Sequence, residues 1–444
     1  MRIPRSLLLG TASLLAAAIA IPGTASAAPT VTPHWEGIGR AALAASDGWG
    51  SATTGTTGGG AADAGHAFLV HDRAELVAAL GGDNATNAGN ATPKIIYLAG
   101  TIDLNTDDTG RPLTCADYAA GTGWSLPAYL AAYDPATWGT ATEPSGPLED
   151  ARDAAQKAQA RQIQINVGAN TTIVGLRHTA RILGGGFVVK NVDNVIIRNT
   201  TFEDAADCFP SWDPKDGATG NWNSEYDSVT LYNATHVWVD HNTFTDGRNP
   251  DAAQPQYFGR PYQVHDGQLD ITNGSDLVTA SWNAFEDHDK TNLVGSSNTS
   301  KVDPGHLRVT FHHNLWSNTV QRAPRVRFGQ VDVFNNYYAV GAEEYEYSIG
   351  VGKSSQIVAE ANYFELPANA PAGKVLYNWG GTGLTAAGNL VNGAPVDLLA
   401  AFNEAHPATP LAAESTWTPT LRLRVDRADK LPHLVGHHAG IGHL

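Results

Sequence analysis

Six octets between residues 195 and 364 share one alternation of apolar and polar positions: Val195–Phe202, Val237–Phe244, Val278–Phe285, Val309–Trp316, Val331–Tyr338 and Ile357–Phe364. Each opens on a β-branched residue, reads as a short strand and closes on an aromatic ring. Their sixth column holds Thr200, Asn242, Asn283, Asn314, Asn336 and Asn362. The starts lie 42, 41, 31, 22 and 26 residues apart, which describes a short repeat with insertions in its early copies. Recurrent strands carrying one aromatic and one asparagine column predict a solenoid of parallel strands. Asparagine tolerates a left-handed corner, and its amide can bond to copies above and below. An antiparallel sandwich also repeats short strands, but gives no reason to keep both columns through six units. The expected fold is therefore all-β, a parallel β-helix.

The ends of the array are read from other patterns. Asp72 followed by Arg73–Leu80 and Gly81-Gly82 has the N-cap, amphipathic run and glycine stop of a short helix, placed to cap the solenoid before a strand at Lys94–Leu98. Proline-rich stretches at 127–147 and 404–420 read as loops along the outside. The glycine-rich run 48–65 lacks the Lys-Ser/Thr of a phosphate loop and reads as a loop only. At the N-terminus, Arg2 and Arg5 precede an apolar run from Leu7 to Ile21 and a small-residue site at Ala25-Ser26-Ala27. This pattern predicts a secretory signal peptide over 1–27 and one domain over 28–444, secreted to the extracellular space. The run is short for a membrane anchor. Export permits a bridge between Cys115 and Cys208, the two cysteines of the chain, but two buried thiols are equally compatible with the sequence.

The formal net charge of −16 argues against a nucleic-acid partner, which would call for a broadly basic face. The insertions between Phe202 and Val229 and between Asp246 and Leu269 carry acids: Asp213, Asp216, Glu225, Asp227, Asp251, Asp266 and Asp270. Asp227 and Asp270 occupy matching places in successive coils, and strands of a parallel sheet stack about 4.8 Å apart, so these carboxylates can converge. Oxygen ligands without histidine or cysteine suit calcium; solvated surface acids are the alternative at this stage. Lys290 and three arginines, Arg322, Arg325 and Arg327, follow on later coils. Arg325 and Arg327 should share a strand face, Pro324 separates Arg322 from them, and Arg325 is the arginine best suited to a purely structural role. His312 and His313 should point to opposite faces, which makes them poor joint metal ligands. His433, His437, His438 and His443 lie in a C-terminal tail, where metal binding is the less favoured reading.

Calcium-binding acids beside lysine and arginine suit a polyanionic sugar acid. Neutralising a uronate carboxylate acidifies its C5 proton, so a base could remove it and expel the C4 glycosidic oxygen by β-elimination. The segments N-W-N-S-E-Y-D-S-V-T-L, V-W-V-D-H-N-T-F, H-D-G-Q-L-D, H-D-K-T and V-Q-R-A-P-R-V-R-F-G closely resemble, in this order, the extracellular pectate lyases of polysaccharide lyase family 1, in particular the Bacillus type. The resemblance covers essentially the whole mature chain. It implies a right-handed parallel β-helix and calcium-dependent cleavage of polygalacturonate. It implies calcium ligands at Asp227, Asp266 and Asp270, a catalytic arginine at Arg322, and substrate-binding residues at Lys290 and Arg327. Asp216 and Asn223 match supplementary calcium contacts more loosely. Asp240, in V-W-V-D-H, falls in a strand octet away from the insertions and reads as structural. For Arg322 to act as a base, Lys290, Arg327 and calcium would have to disfavour its charge; otherwise it stabilises the enolate while water takes the proton. Either role predicts an alkaline optimum.

Three rivals keep the fold and change the activity. A pectin lyase would not use the Asp227, Asp266, Asp270 set. A polygalacturonase would need paired acid and base carboxylates. A non-catalytic adhesin would have no use for Arg322 and Lys290 beside a calcium site. A capped solenoid has no need of a second copy, so a monomer is expected.

Overall fold

The computed structural model describes residues 31–341, 344–414 and 417–444; the expected signal peptide lies outside them. Among the described residues, three long sheets of 11, 10 and 8 strands run along the molecule. The pairings along their length are parallel, except where Leu390–Val391 meets Ala394–Pro395 at one end of the 10-stranded sheet, and successive turns of the chain contribute one strand to each sheet. One coil runs Val229–Tyr232 in the 8-stranded sheet, Thr235–Asp240 in the 11-stranded sheet and Thr243–Thr245 in the 10-stranded sheet. The next repeats it with Leu269–Thr272, Asp276–Ser281 and Ala284–Lys290. This is a right-handed parallel β-helix, as the alternation predicts.

Each octet is two strands around a corner rather than one. Val195–Arg198 belongs to the 11-stranded sheet and Thr201–Glu203 to the 10-stranded sheet, with Asn199 and Thr200 between. The ladder asparagines occupy the corner, but they are not its left-handed residues. Positive φ falls on the residue before each: Asn199, His241, Trp282, His313, Asn335 and Ala361, at 52–55°. That residue turns the chain, and its successor thereby points inward. From there each asparagine Oδ1 accepts the backbone N–H and the Nδ2 of the ladder residue one coil earlier, as Asn283 does from Asn242 at 3.0 and 3.1 Å. Its own Nδ2 donates to a strand carbonyl, Val239 in the case of Asn283 (2.9 Å). The ladder runs on to Asn389, beyond the last octet. Beside it the aromatic column stacks without a break, Phe202, Phe244, Phe285, Trp316, Tyr338 and Phe364, at centroid spacings of 4.4–5.3 Å. The inward column can stack because in-register parallel strands put like positions over one another.

The capping helix spans Arg73–Leu80, with the Asp72 side chain accepting from Glu75 N–H and Leu76, Ala79 and Leu80 sealing the end of the core. The proline-rich 127–147 stretch is not simply loop. It contains short helices at Leu126–Ala132 and Pro135–Trp138, each with proline in its first turn, where a missing N–H costs nothing. A 17-residue helix, Pro147–Ile163, then follows. These helices pack Tyr129 and Tyr133 against Trp212, Trp222 and Tyr262 of the insertions, forming a second small core beside the solenoid. A disulfide joins Cys115 to Cys208 (S–S 2.02 Å), tying the helical segment to the first insertion. The glycine run lies flat on the 11-stranded sheet. A Cβ on Gly59 would collide with the Lys94 carbonyl, so glycine is required by close approach.

His312 and His313 do not point apart. The left-handed His313 breaks strand alternation, and the two Nδ1 atoms meet at 2.9 Å. Their outer nitrogens reach Asp47 and Asp426, 3.2 Å each, which fastens both chain ends to the same sheet.

Candidate active site

The predicted site residues gather at the outward face of the 8-stranded sheet and the corner leading into it. Asp227 immediately precedes the Val229–Tyr232 strand, and Asp270 lies in the next, Leu269–Thr272. Gly267 sits between their carboxylates. Its N–H donates to Asp227 Oδ1 (2.9 Å), and a Cβ there would overlap Asp270 Oδ1 and lie 2.8 Å from Asp227 Oδ1. Asp227 also accepts from Thr230 Oγ1 (2.7 Å), and Asp270 from Leu293 N–H (3.0 Å). Burial, reinforced by Asp266, pushes the Asp227 carboxyl up to about 7. Burial, then Asp227 and Asp266, pushes Asp270 well above the usual carboxylate range. Three acids therefore crowd one spot, and the charge of Arg322, which both buried ones feel, does not bring their carboxyls back to the ordinary range. The small-residue cradle and the all-oxygen donor set fit a hard divalent cation.

Lys290 and Arg322 meet at the corner between two sheets. Lys290 ends the Ala284–Lys290 strand and pairs in register with Gln321, so Arg322 follows one residue later. Lys290 Nζ lies 3.9 Å from Asp266 Oδ1 and 3.4 Å from Asn223 Oδ1, which brings the first insertion against the site. Asp216 sits on an exposed turn of the same insertion and accepts from Asn221 (3.2 Å). Arg322 has a left-handed backbone (φ 59°), and its buried Nε has no hydrogen-bond partner. Burial works against its charge, but Asp266 and Asp270 outweigh it and raise the guanidinium above its ordinary value. The expectation that neighbouring cations lower it is thus reversed by the acids facing it.

Arg325 and Arg327 share the outward face, with Val326 between them fully buried in the core. Arg327 donates to Asn298 Oδ1 (2.9 Å) and the Gly295 carbonyl (2.6 Å), and burial and Arg322 lower it. The Arg325 guanidinium lies 3.8 Å over the Trp379 ring, and burial together with Arg327 lowers it to about 10. Among the described residues none of the three arginines has a carboxylate in salt-bridge range.

One cluster escaped the sequence reading. His265 binds Asp204 and Asp251 (3.1 Å each), and His288 Nδ1 binds Asp246 (2.6 Å) while its Nε2 meets the Asp266 carbonyl (2.6 Å). Asp246, Asp251 and His265 come close enough to hold a metal ion. The surrounding acids raise His265 to about 10 against its burial, so an imidazolium already supplies the positive charge there. The cluster anchors the Asp266 segment from behind. Its members are scattered over 85 positions, from Asp204 to His288, with no spacing that marks them. Asp240 is structural, as expected: it is buried between Arg198 (2.8 Å) and Ser281 (2.7 Å) in the 11-stranded sheet.

A β-helix with an acidic cradle beside arginines that, among the described residues, have no carboxylate in salt-bridge range suits a polysaccharide lyase, and the comparisons agree. The pectate lyase family model matches residues 139–414. The chain is 46% identical to a pectate lyase of Bacillus subtilis (strain 168) over 411 residues, 92% of this chain and 94% of that protein. It is 38% identical to pectate lyase E of Dickeya chrysanthemi, over 81% of this chain and 76% of that one. The solved structure of a thermostable pectate lyase, PL 47, superposes with a TM-score of 0.89 at 46% identity, covering 92% of this chain and 99% of that one. A pectate lyase solved with a bound hexasaccharide gives 0.86 at 45% identity, with the same coverage. This chain belongs to the pectate lyase family and is a polysaccharide lyase.

Proposed function

We propose that the protein is a secreted, calcium-dependent pectate lyase that cleaves α-1,4-polygalacturonate by β-elimination, leaving 4,5-unsaturated oligogalacturonides. The observation that carries this reading is an acid cradle in which burial and mutual repulsion raise Asp227 and Asp270, set beside three arginines that, among the described residues, have no carboxylate in salt-bridge range. Lys290, 3.9 Å from Asp266, and Arg322 offset the acids only in part, and calcium with a uronate chain would complete the balance. Asp227, Asp266 and Asp270 would hold the ion, with Asn223 and Asp216 on the adjoining insertion as weaker contributors. Bound there, calcium would screen the three acids and help neutralise the uronate carboxylate, making C5–H more acidic.

Lys290 and Arg327 bind substrate carboxylates and fix the chain over the corner. Arg322 acts at C5. The C5 proton passes to the guanidine, the C5–H electron pair forms the C4=C5 double bond, and the C4–O bond breaks. The departing oxygen then takes a proton from solvent. Arg322 must first release its own proton to solvent, which the facing Asp266 and Asp270 oppose until their charge has been met, and this ties its reactivity to an occupied cradle. Residues 1–27 act as the export signal of a 28–444 enzyme domain that works as a monomer outside the cell.

The test is ultraviolet absorbance during incubation with polygalacturonate. Unsaturated product should accumulate, stop with chelator and return with calcium. Reducing ends released without absorbance would make the protein a hydrolase.

A further inference from the structure

Beyond the arginines, the outward column of the 8-stranded sheet changes character. Ile271 pairs with Val294, which sets Asp270 beside Leu293; Leu293 then pairs with Arg325, Arg325 with Gly350, and Gly350 with Tyr377. At about 4.8 Å per strand, Tyr377 stands about 10 Å past Arg325 and about 19 Å past Asp270. Trp379 follows two residues later on the same face, and Tyr347 lies beside both. Tyr377 is 4.7 Å from Trp379 and 5.3 Å from Tyr347, centroid to centroid. Gly350 leaves the space they occupy: a Cβ there would come within 3.0–3.1 Å of Tyr347, Arg325 and Trp379. The result is an aromatic floor continuous with the catalytic corner through Arg325. Its outermost ring, Tyr377, is 41% exposed, whereas Tyr347 beneath is buried.

The charge also changes. The corner at Arg322 selects ionised uronates, while the floor at Tyr377 offers π-faces, and the cation against it, Arg325, is already stacked on Trp379. The C–H face of a pyranose ring suits such a surface, and an aromatic ring held in advance loses little entropy on contact.

We propose that Tyr377 and Trp379 form a stacking subsite for a galacturonosyl ring beyond the reacting unit, gripping its C–H face rather than its carboxylate and so accepting a methyl-esterified residue. This rests on the pectate lyase reading above. It gives the enzyme ester tolerance at one distant position, while the reacting position keeps its demand for an ionised uronate.

The experiment uses the Arg322→Ala protein, which should bind chains without cleaving them, titrated with hexagalacturonate and trigalacturonate in calcium. Adding Tyr377→Ala should weaken hexamer binding about five- to ten-fold, leave the trimer unchanged, and be reversed by Tyr377→Phe. In the cleaving enzyme, Tyr377→Ala should raise KM for polygalacturonate at constant kcat and lower the rate on partly esterified pectin relative to polygalacturonate. Equal weakening of trimer and hexamer would mean that Arg325 had merely been displaced, and would overturn the subsite. So would unchanged hexamer binding while the unsubstituted enzyme still forms unsaturated product. An unaltered ratio of rates on esterified and free polymer would overturn ester acceptance. If the unsubstituted protein forms no unsaturated product, the lyase reading fails first, and the subsite with it.

Discussion

The 11-stranded and 8-stranded sheets belong to one solenoid, share its repeat and bury the same kind of core, yet treat outward charge in opposite ways. On the 11-stranded sheet the acids and arginines are matched: Arg198 with Asp240, Arg308 with Asp276, and Arg422 with both Asp332 and Glu360. On and beside the 8-stranded sheet, Asp227 and Asp270 crowd each other, and among the described residues Arg322, Arg325 and Arg327 have no carboxylate in salt-bridge range. A fold that satisfies its charges on one face and leaves them unmet on another holds the second face for something else. The unmet charges, more than any cavity, mark the site.

The largest effect should come from Arg322→Ala. If the guanidinium handles the C5 proton, turnover should fall by about 10²–10⁴-fold while the melting temperature and its response to calcium persist. A variant keeping a tenth of the rate would remove Arg322 from the chemistry and leave the contrast between faces without a function.

The faces should also respond in opposite directions when one acid is neutralised. Asp240→Asn leaves Arg198 buried without its counter-charge and should cost about 3–5 kcal/mol. Asp270→Asn relieves a buried carboxylate of its acid neighbours while keeping an oxygen for Leu293 N–H. In chelator it should stabilise the protein by about 1–3 kcal/mol, and the calcium-dependent rise in melting temperature should vanish. Thermal unfolding with and without calcium reads both. Destabilisation of the same sign in both variants would show that the two faces are not different in kind.

A smaller effect belongs to the ladder that both sheets share. Asn283→Ala removes the acceptor used by Asn242 and the donor to the Val239 carbonyl, so about 2–3 kcal/mol of stability should go. Calcium affinity and kcat should stay unchanged, because the ladder sits inside the coil and not on either face. Loss of calcium binding in this variant would tie the cradle to coil spacing rather than to its own side chains.

The periodic parts of the molecule were legible in the sequence, and the parts that depend on a single corner were not. In-register stacking turns each inward position into a column, so the asparagine and aromatic columns, the capping helix and the convergence of Asp227 with Asp270 all follow from spacing. The sequence points to the ladder asparagine rather than the left-handed residue before it, because four different residue types (Asn, His, Trp and Ala) fill that place over the six coils and leave no compositional trace. The same corner explains why His312 and His313 touch. The helix Pro147–Ile163 lies just past a proline-rich stretch that drew the reading towards loop. The surroundings of Arg322 are hidden for another reason: sequence shows which cations lie near in the chain, but not that Asp266 and Asp270 act on the guanidinium in space. The disulfide likewise had to wait for the 5.5 Å separation of its Cα atoms.

The smallest expected effect is a difference in pH response. Asp240, held well below the ordinary carboxylate range because His241 and Arg198 outweigh its burial, stabilises the fold above its unfolded value of about 3.9, and that contribution is lost as pH falls towards the folded value. Asp207, in the insertion beside the site, behaves in the opposite sense. Burial raises it to about 7, despite hydrogen bonds from Phe209 N–H and Gln156. The folded state then holds a proton that the unfolded chain has released, so stability declines as pH rises from about 4 to about 7. Asp207→Asn should remove one part of that decline, leaving the part due to the raised Asp227 and Asp270 and the acid limb unaltered, whereas Asp240→Asn should soften the acid limb and leave the whole decline in place. Melting temperatures taken from about pH 2 to pH 8 in chelator separate the two. A decline that survives Asp207→Asn undiminished would assign all of it to the acids of the cradle, and adding calcium should then abolish it.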